Sequence, residues 1–208
     1  LLAEKPPEDG GASSFHHDPE AGIRTTLSKG DVGELEPPWN YRPLAAGKAL
    51  AFITEPLEAH MVMLGHGSVD LQLKSSDTEA DLEVHLTEVR PDGQERLVQT
   101  GWLRASHRAL RDDATELRPV KTHLQPDNEP LIRGEWTTVR VEMMPFGHVF
   151  RAGSRIRISV DTPGDTTARW FFILKDQGDD VVHTVGHSAA QASSIVLPVI
   201  PGIEVPDE

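Results

Sequence analysis

The segment Gly186-His187-Ser188-Ala189-Ala190 follows the apolar stretch that runs from Val181 to Val185. It has the spacing of a nucleophile elbow, a sharp turn that lifts a serine hydroxyl above a sheet. In that architecture the acid and then the base follow the serine in chain order, on later strands of a parallel sheet. His187 is the last histidine of the chain, so no base can follow Ser188. The segment is expected to be a loop between two strands, and no catalytic residue is assigned.

Ten histidines raise metal chemistry next. His16 and His17 adjoin, and His183 and His187 are four residues apart with Asp179 and Asp180 close by. That spacing puts two imidazoles on one side of a helix, but the surrounding sequence alternates as a strand does and leads into a turn. Asp161, Gly164 and Asp165 offer oxygen ligands without the regular alternation of a calcium loop. Gly10-Gly11, Gly30, Gly33, Gly65 and Gly67 fit neither phosphate-loop nor dinucleotide spacing. The expectation is therefore no metal and no cofactor. Sugar binding would need exposed aromatic platforms, yet aromatics are 5% of the chain, and Trp39, Trp102, Trp136 and Trp170 are expected to pack rather than to stack on sugars.

Composition narrows the partners. Acidic residues number 33 against 20 basic ones, and a net charge of -13 works against nucleic acid and anionic membranes. Cysteine is absent, so packing alone must hold the core; with no export signal in view, a cytoplasmic location is favoured. The chain opens at Leu1 rather than a methionine, as a fragment of a longer protein would. Self-association through an uncovered face is compatible with all of this.

The elements that would position any site have period two. Val69, Leu71 and Leu73 alternate with Asp70, Gln72 and Lys74, and Leu82, Val84 and Leu86 with Glu83, His85 and Thr87, as in half-buried strands. The pattern recurs at Val139, Val141 and Met143 and at Ile156, Ile158 and Val160. Continuous apolar runs at Trp170–Leu174 and Ile195–Ile200 predict strands buried on both faces. Pro91-Asp92-Gly93 predicts a hairpin turn, and Gly153 and Pro163-Gly164 bracket a strand. Leu103 to Leu117 lacks a clean apolar stripe, so at most one or two short helices are expected. Residues 1–14 read as a linker, 15–48 as an extended arm rich in turn formers (Gly22, Gly30, Gly33, Pro37, Pro38), and 49–208 as an all-β sandwich or barrel.

Three further segments carry a resemblance. Gly101-Trp102-Leu103-Arg104-Ala105-Ser106-His107-Arg108, the run Phe146-Gly147-His148-Val149-Phe150-Arg151-Ala152-Gly153-Ser154-Arg155-Ile156-Arg157-Ile158, and Leu197-Pro198-Val199-Ile200-Pro201 resemble the C-terminal domain of X-prolyl dipeptidyl-peptidase and cocaine-esterase type hydrolases. The strand Ser68-Val69-Asp70-Leu71-Gln72-Leu73-Lys74-Ser75-Ser76-Asp77, the hairpin Glu88-Val89-Arg90-Pro91-Asp92-Gly93 and the arm Phe15-His16-His17-Asp18-Pro19 are similar to their counterparts there. The resemblance implies a jelly-roll β-sandwich, galactose-binding-domain-like, that supplies no triad residue. It further implies a partner in cis, an α/β-hydrolase domain carrying a Ser-Asp-His triad. Trp102, Arg104, His148 and Phe150, which stand in the two strongest motifs, are the candidates for the face that meets it. The alternative is an independent carbohydrate- or ligand-binding module.

Overall fold

The computed structural model describes residues 2, 3, 5, 8, 10–18, 46–163, 173–178 and 180–206. Their strands form two antiparallel sheets. The first sheet is built on the long β3 (Met61–Ser75), which pairs along its whole length with β6 (Thr137–Phe150). On its other edge β3 meets β8 (Val182–Ser188) and β10 (Ser194–Val196) in turn. β1 (Ala12–His16) and the short β9 (Gln191–Ala192) both pair with β8. The second sheet runs β2 (Ala49–Ile53), β7 (Arg155–Asp161), β4 (Asp81–Val89), β5 (Glu95–Arg104). Among the described residues the only helical turns are of the 3-10 kind, at Ala105–His107 and Gln125–Asp127. None of the helices is long and apolar enough to cross a membrane.

The core forms where the alternating apolar residues of the two sheets face each other. Val69, Leu71 and Leu73 with Val139, Val141 and Met143 come from one sheet; Leu82, Val84 and Leu86 with Ile156, Ile158 and Val160 come from the other, and all are buried. Each such side chain contributes about 1.5–3 kcal/mol by leaving water. The hairpin at Pro91-Asp92-Gly93 forms as its residues dictate: Gly93 takes φ 85°, which a side chain would resist, and Asp92 accepts a bond from the Gln94 N–H at 3.0 Å.

Four expectations change. The polar face of β4 is not solvated, because Glu83, His85 and Thr87 are buried as fully as their apolar neighbours. Period two reported polarity correctly, but these groups are paired rather than wet: Thr87 donates to Glu95 at 2.6 Å, and Glu95 holds Arg157 at 2.7 Å. The boundary drawn between residues 14 and 15 falls inside β1, whose pairing with β8 satisfies a backbone too polar to show a strand signal, and whose Phe15 joins the core. The run from Ile195 to Ile200 is a strand only to Val196, since Pro198 cannot donate to a ladder, and Val199 is left 45% exposed. Ile173 is 75% exposed; the rest of its run from Trp170 to Phe172, together with Trp39, Gly164, Asp165, Asp179 and the glycines and prolines of the arm at 22, 30, 33, 37 and 38, lies outside the described residues.

Candidate functional site

The serine-histidine fragment is resolved by its hydrogen bonds. Ser188 ends β8 and holds the turn into β9, bonding to the Gln191 side chain and accepting its N–H, both at 3.2 Å. His187 pairs instead with Ser13, Nε2 to Oγ at 3.0 Å, while its Nδ1 accepts the Gly11 N–H at 3.4 Å. With Nδ1 facing the Gly11 N–H, the tautomer that satisfies both contacts carries its proton on Nε2 and donates to Ser13 Oγ. A general base needs the opposite polarity. This pair fastens the N-terminal strand to the sheet.

His183 sits against Phe15 and His17, with ring centroids 5.3 and 6.1 Å away, and its Nδ1 lies 3.1 Å from Ser75 Oγ. Burial, reinforced by the neighbouring His17, pushes its pKa down to about 4. It is a neutral core residue rather than half of a ligand pair with His187.

A cluster that sequence reasoning missed stands on the polar face of the second sheet. Glu83, His85 and Asp161 place their donor atoms within 4.8 Å of one another, all buried. His85 Nε2 lies 3.1 Å from Asp161 and 3.7 Å from Glu83. Two carboxylates on one imidazole edge can share a proton or take a cation, and each of the three has further partners, so the cluster is one knot in a larger network. Its signal was present: Glu83 and His85 are two apart on one strand, and β4 pairs Glu83 with Asp161 of β7. Only the register reveals that they meet.

The four face candidates separate into two groups. Phe150 is fully buried in the core, its ring 4.8 Å from His148. His148 reaches from β6 to Glu88 on β4 at 2.8 Å, and Glu88 also accepts the Arg151 N–H at 3.2 Å. Burial raises the Glu88 carboxyl, but these bonds outweigh it and leave the pKa below its ordinary value. Arg104 forms a two-pronged pair with buried Asp81 at 2.7 and 2.9 Å and donates to the Ile173 carbonyl at 2.7 Å. Each of these three residues therefore has partners within this chain. Trp136 lies half-buried under the Lys74 ammonium, 4.7 Å from its ring centroid. Trp102 and Arg104 are both partly exposed, and both line a cavity of about 540 Å³ together with Lys121, His107, His123 and Ile173.

The cavity exists because residues 105–131 leave β5 and fold back over its edge. Ala105 N–H bonds the Ala80 carbonyl, Ser106 N–H bonds the Glu79 side chain, and Leu131 N–H bonds the Thr78 carbonyl, which fixes both ends of the excursion to the connection between β3 and β4. Between them Arg111 N–H to Val120 and Thr122 N–H to Ala109 close a small antiparallel loop that delivers Lys121 to the wall.

Residues 8–195 match the family described as the X-Pro dipeptidyl-peptidase C-terminal non-catalytic domain. The chain belongs to that family. It is also 31% identical over 96% of its length to a presumed serine esterase of Mycobacterium bovis and to one of Mycobacterium tuberculosis. It spans about a third of those relatives, 32% of each. Solved structures share the fold of this non-catalytic domain: an aminopeptidase from a marine sediment thaumarchaeon (TM-score 0.70, 17% identity, 95% of this chain, 34% of that one), an alpha-amino acid ester hydrolase (0.65, 18%, 94%, 34%), and a CocE/NonD family hydrolase of Staphylococcus aureus (0.60, 15%, 92%, 37%).

Proposed function

We propose that this domain packs in cis against the α/β-hydrolase domain of a serine ester or peptide hydrolase, supports it, and shapes access to its active site. The observation that carries the reading is the family match over residues 8–195, on a chain that spans about a third of its serine esterase relatives. The docking face we infer is the rim of the Trp102 cavity, where Ile173 at 75% exposure presents apolar surface that an isolated domain leaves wet. Arg104 holds Ile173 in place through its carbonyl, so it acts on this face from behind. His148 and Phe150 brace the far end of β6. The lack of cysteine supports a cytoplasmic setting, and a second copy of the domain is the competing occupant of the face.

The test is Ile173→Asp in the longer protein. A buried docking face predicts weaker ester hydrolysis and a lower melting temperature in the longer protein, with the melting temperature of this domain by itself unchanged. Equal effects on both would place Ile173 outside any interface.

A further inference from the structure

We propose that the cavity between β5, β6 and the 105–131 excursion binds a small, singly charged carboxylate with an aryl body, its anion drawn to Lys121 and its ring lying on the Trp102 wall. The site shares Ile173 with the inferred docking face, but every lining residue belongs to this chain, so ligand binding is read on this chain by itself whether or not that face docks.

Lys121 carries the argument. It is only 7% exposed, yet its ammonium, with three N–H bonds to satisfy, has the Pro119 carbonyl at 2.7 Å as its acceptor. No carboxylate of the described residues lies within ion-pair distance of it. The neighbouring guanidiniums are committed elsewhere, Arg104 to Asp81 and Arg140 to Asp70, and Glu142 lies 3.1 Å from His66 Nδ1. Burial pushes the Lys121 pKa down to about 8, against the attraction of Glu142 and Asp70, so near neutral pH the group is mostly a cation without a counter-ion.

The walls select the rest of the ligand. Glu142 also lines the cavity, and a second negative charge on the ligand would meet it, which disfavours phosphate dianions and leaves a monoanion. Trp102, Leu103, Met144 and Ile173 supply apolar and aromatic surface for a ring. The volume of about 540 Å³ accommodates a benzoate-sized body with room to spare. Two further features belong to this wall. Trp102 Nε1 is buried with no hydrogen-bond partner among the described residues, and His123 keeps a left-handed backbone (φ 51°) with its ring 6.4 Å from that of His107.

The probe is sodium benzoate, titrated into the purified protein at pH 7 and followed by calorimetry and tryptophan fluorescence. Benzamide serves as its uncharged counterpart and inorganic phosphate as the anion without a ring. Saturable benzoate binding with a dissociation constant of about 1 mM or tighter is expected, at least tenfold weaker for benzamide, for phosphate and for Lys121→Met. Equal binding of benzamide, unchanged binding by Lys121→Met, or no benzoate binding would each overturn the proposal. Should Lys121→Met fail to fold by circular dichroism, Met144→Glu decides the matter: a carboxylate built into the wall must abolish benzoate binding, and retained binding contradicts the site.

Discussion

A side chain on Gly101 would overlap the Glu142 carbonyl oxygen and come within 3.0 Å of the Glu142 carbonyl carbon, so β5 of one sheet passes β6 of the other with no space between their backbones. This close approach explains why a glycine opens the Gly101-Trp102-Leu103-Arg104 segment: it seats the tryptophan at the corner where the sheets touch. Gly101→Ala is expected to cost roughly 1–3 kcal/mol, read from urea denaturation, because backbone rather than a flexible side chain must yield. His183 makes a second prediction. Its folded pKa of about 4 lies below the unfolded value near 6.5, so the unfolded state takes up the proton first and stability present above pH 6.5 is lost as pH falls towards 4. The loss is on the order of 3 kcal/mol, and His183→Phe should flatten the dependence of the urea midpoint on pH over that window. Individual roles of this kind were poorly legible in the sequence. The partners of Arg104 and His148 were hidden because motif membership does not say which way a side chain faces, and Asp81 and Glu88 lie 23 and 60 residues away.

At the scale of elements, period two located β3, β4, β6 and β7 because each presents apolar residues to one core. It failed where polarity and exposure part company. The outer face of β4 carries Glu83, His85 and Thr87 yet is closed to solvent, and only cross-strand register with β7 and β5 shows how their charges are met. β1 was invisible for a related reason: Ala12-Ser13-Ser14-Phe15-His16 has one strong apolar residue, and its strand state comes from five successive pairings with β8. Phe15→Ala measures how far this edge strand belongs to the domain. A loss of about 3–5 kcal/mol is expected, as for any fully buried phenylalanine, whereas an arm merely lying on the surface would lose well under 1 kcal/mol.

For the whole molecule, two sheets enclose a core, an excursion from β5 builds a cavity at one corner, and the groups that could have formed a nucleophile are spent on turns and strand pairing. Fold and family were legible because they rest on long ordered patterns, from Phe15 to Pro201. The cavity was not, since its lining comes from segments dispersed between Gly101 and Ile173. The proposed role, contributing to hydrolysis without performing it, is checked by hydrolysis of p-nitrophenyl esters and Xaa-Pro-p-nitroanilides, measured for this purified chain and for the longer protein. Activity in the longer protein and none in this chain is the predicted result; activity in this chain that disappears in Ser188→Ala would contradict it.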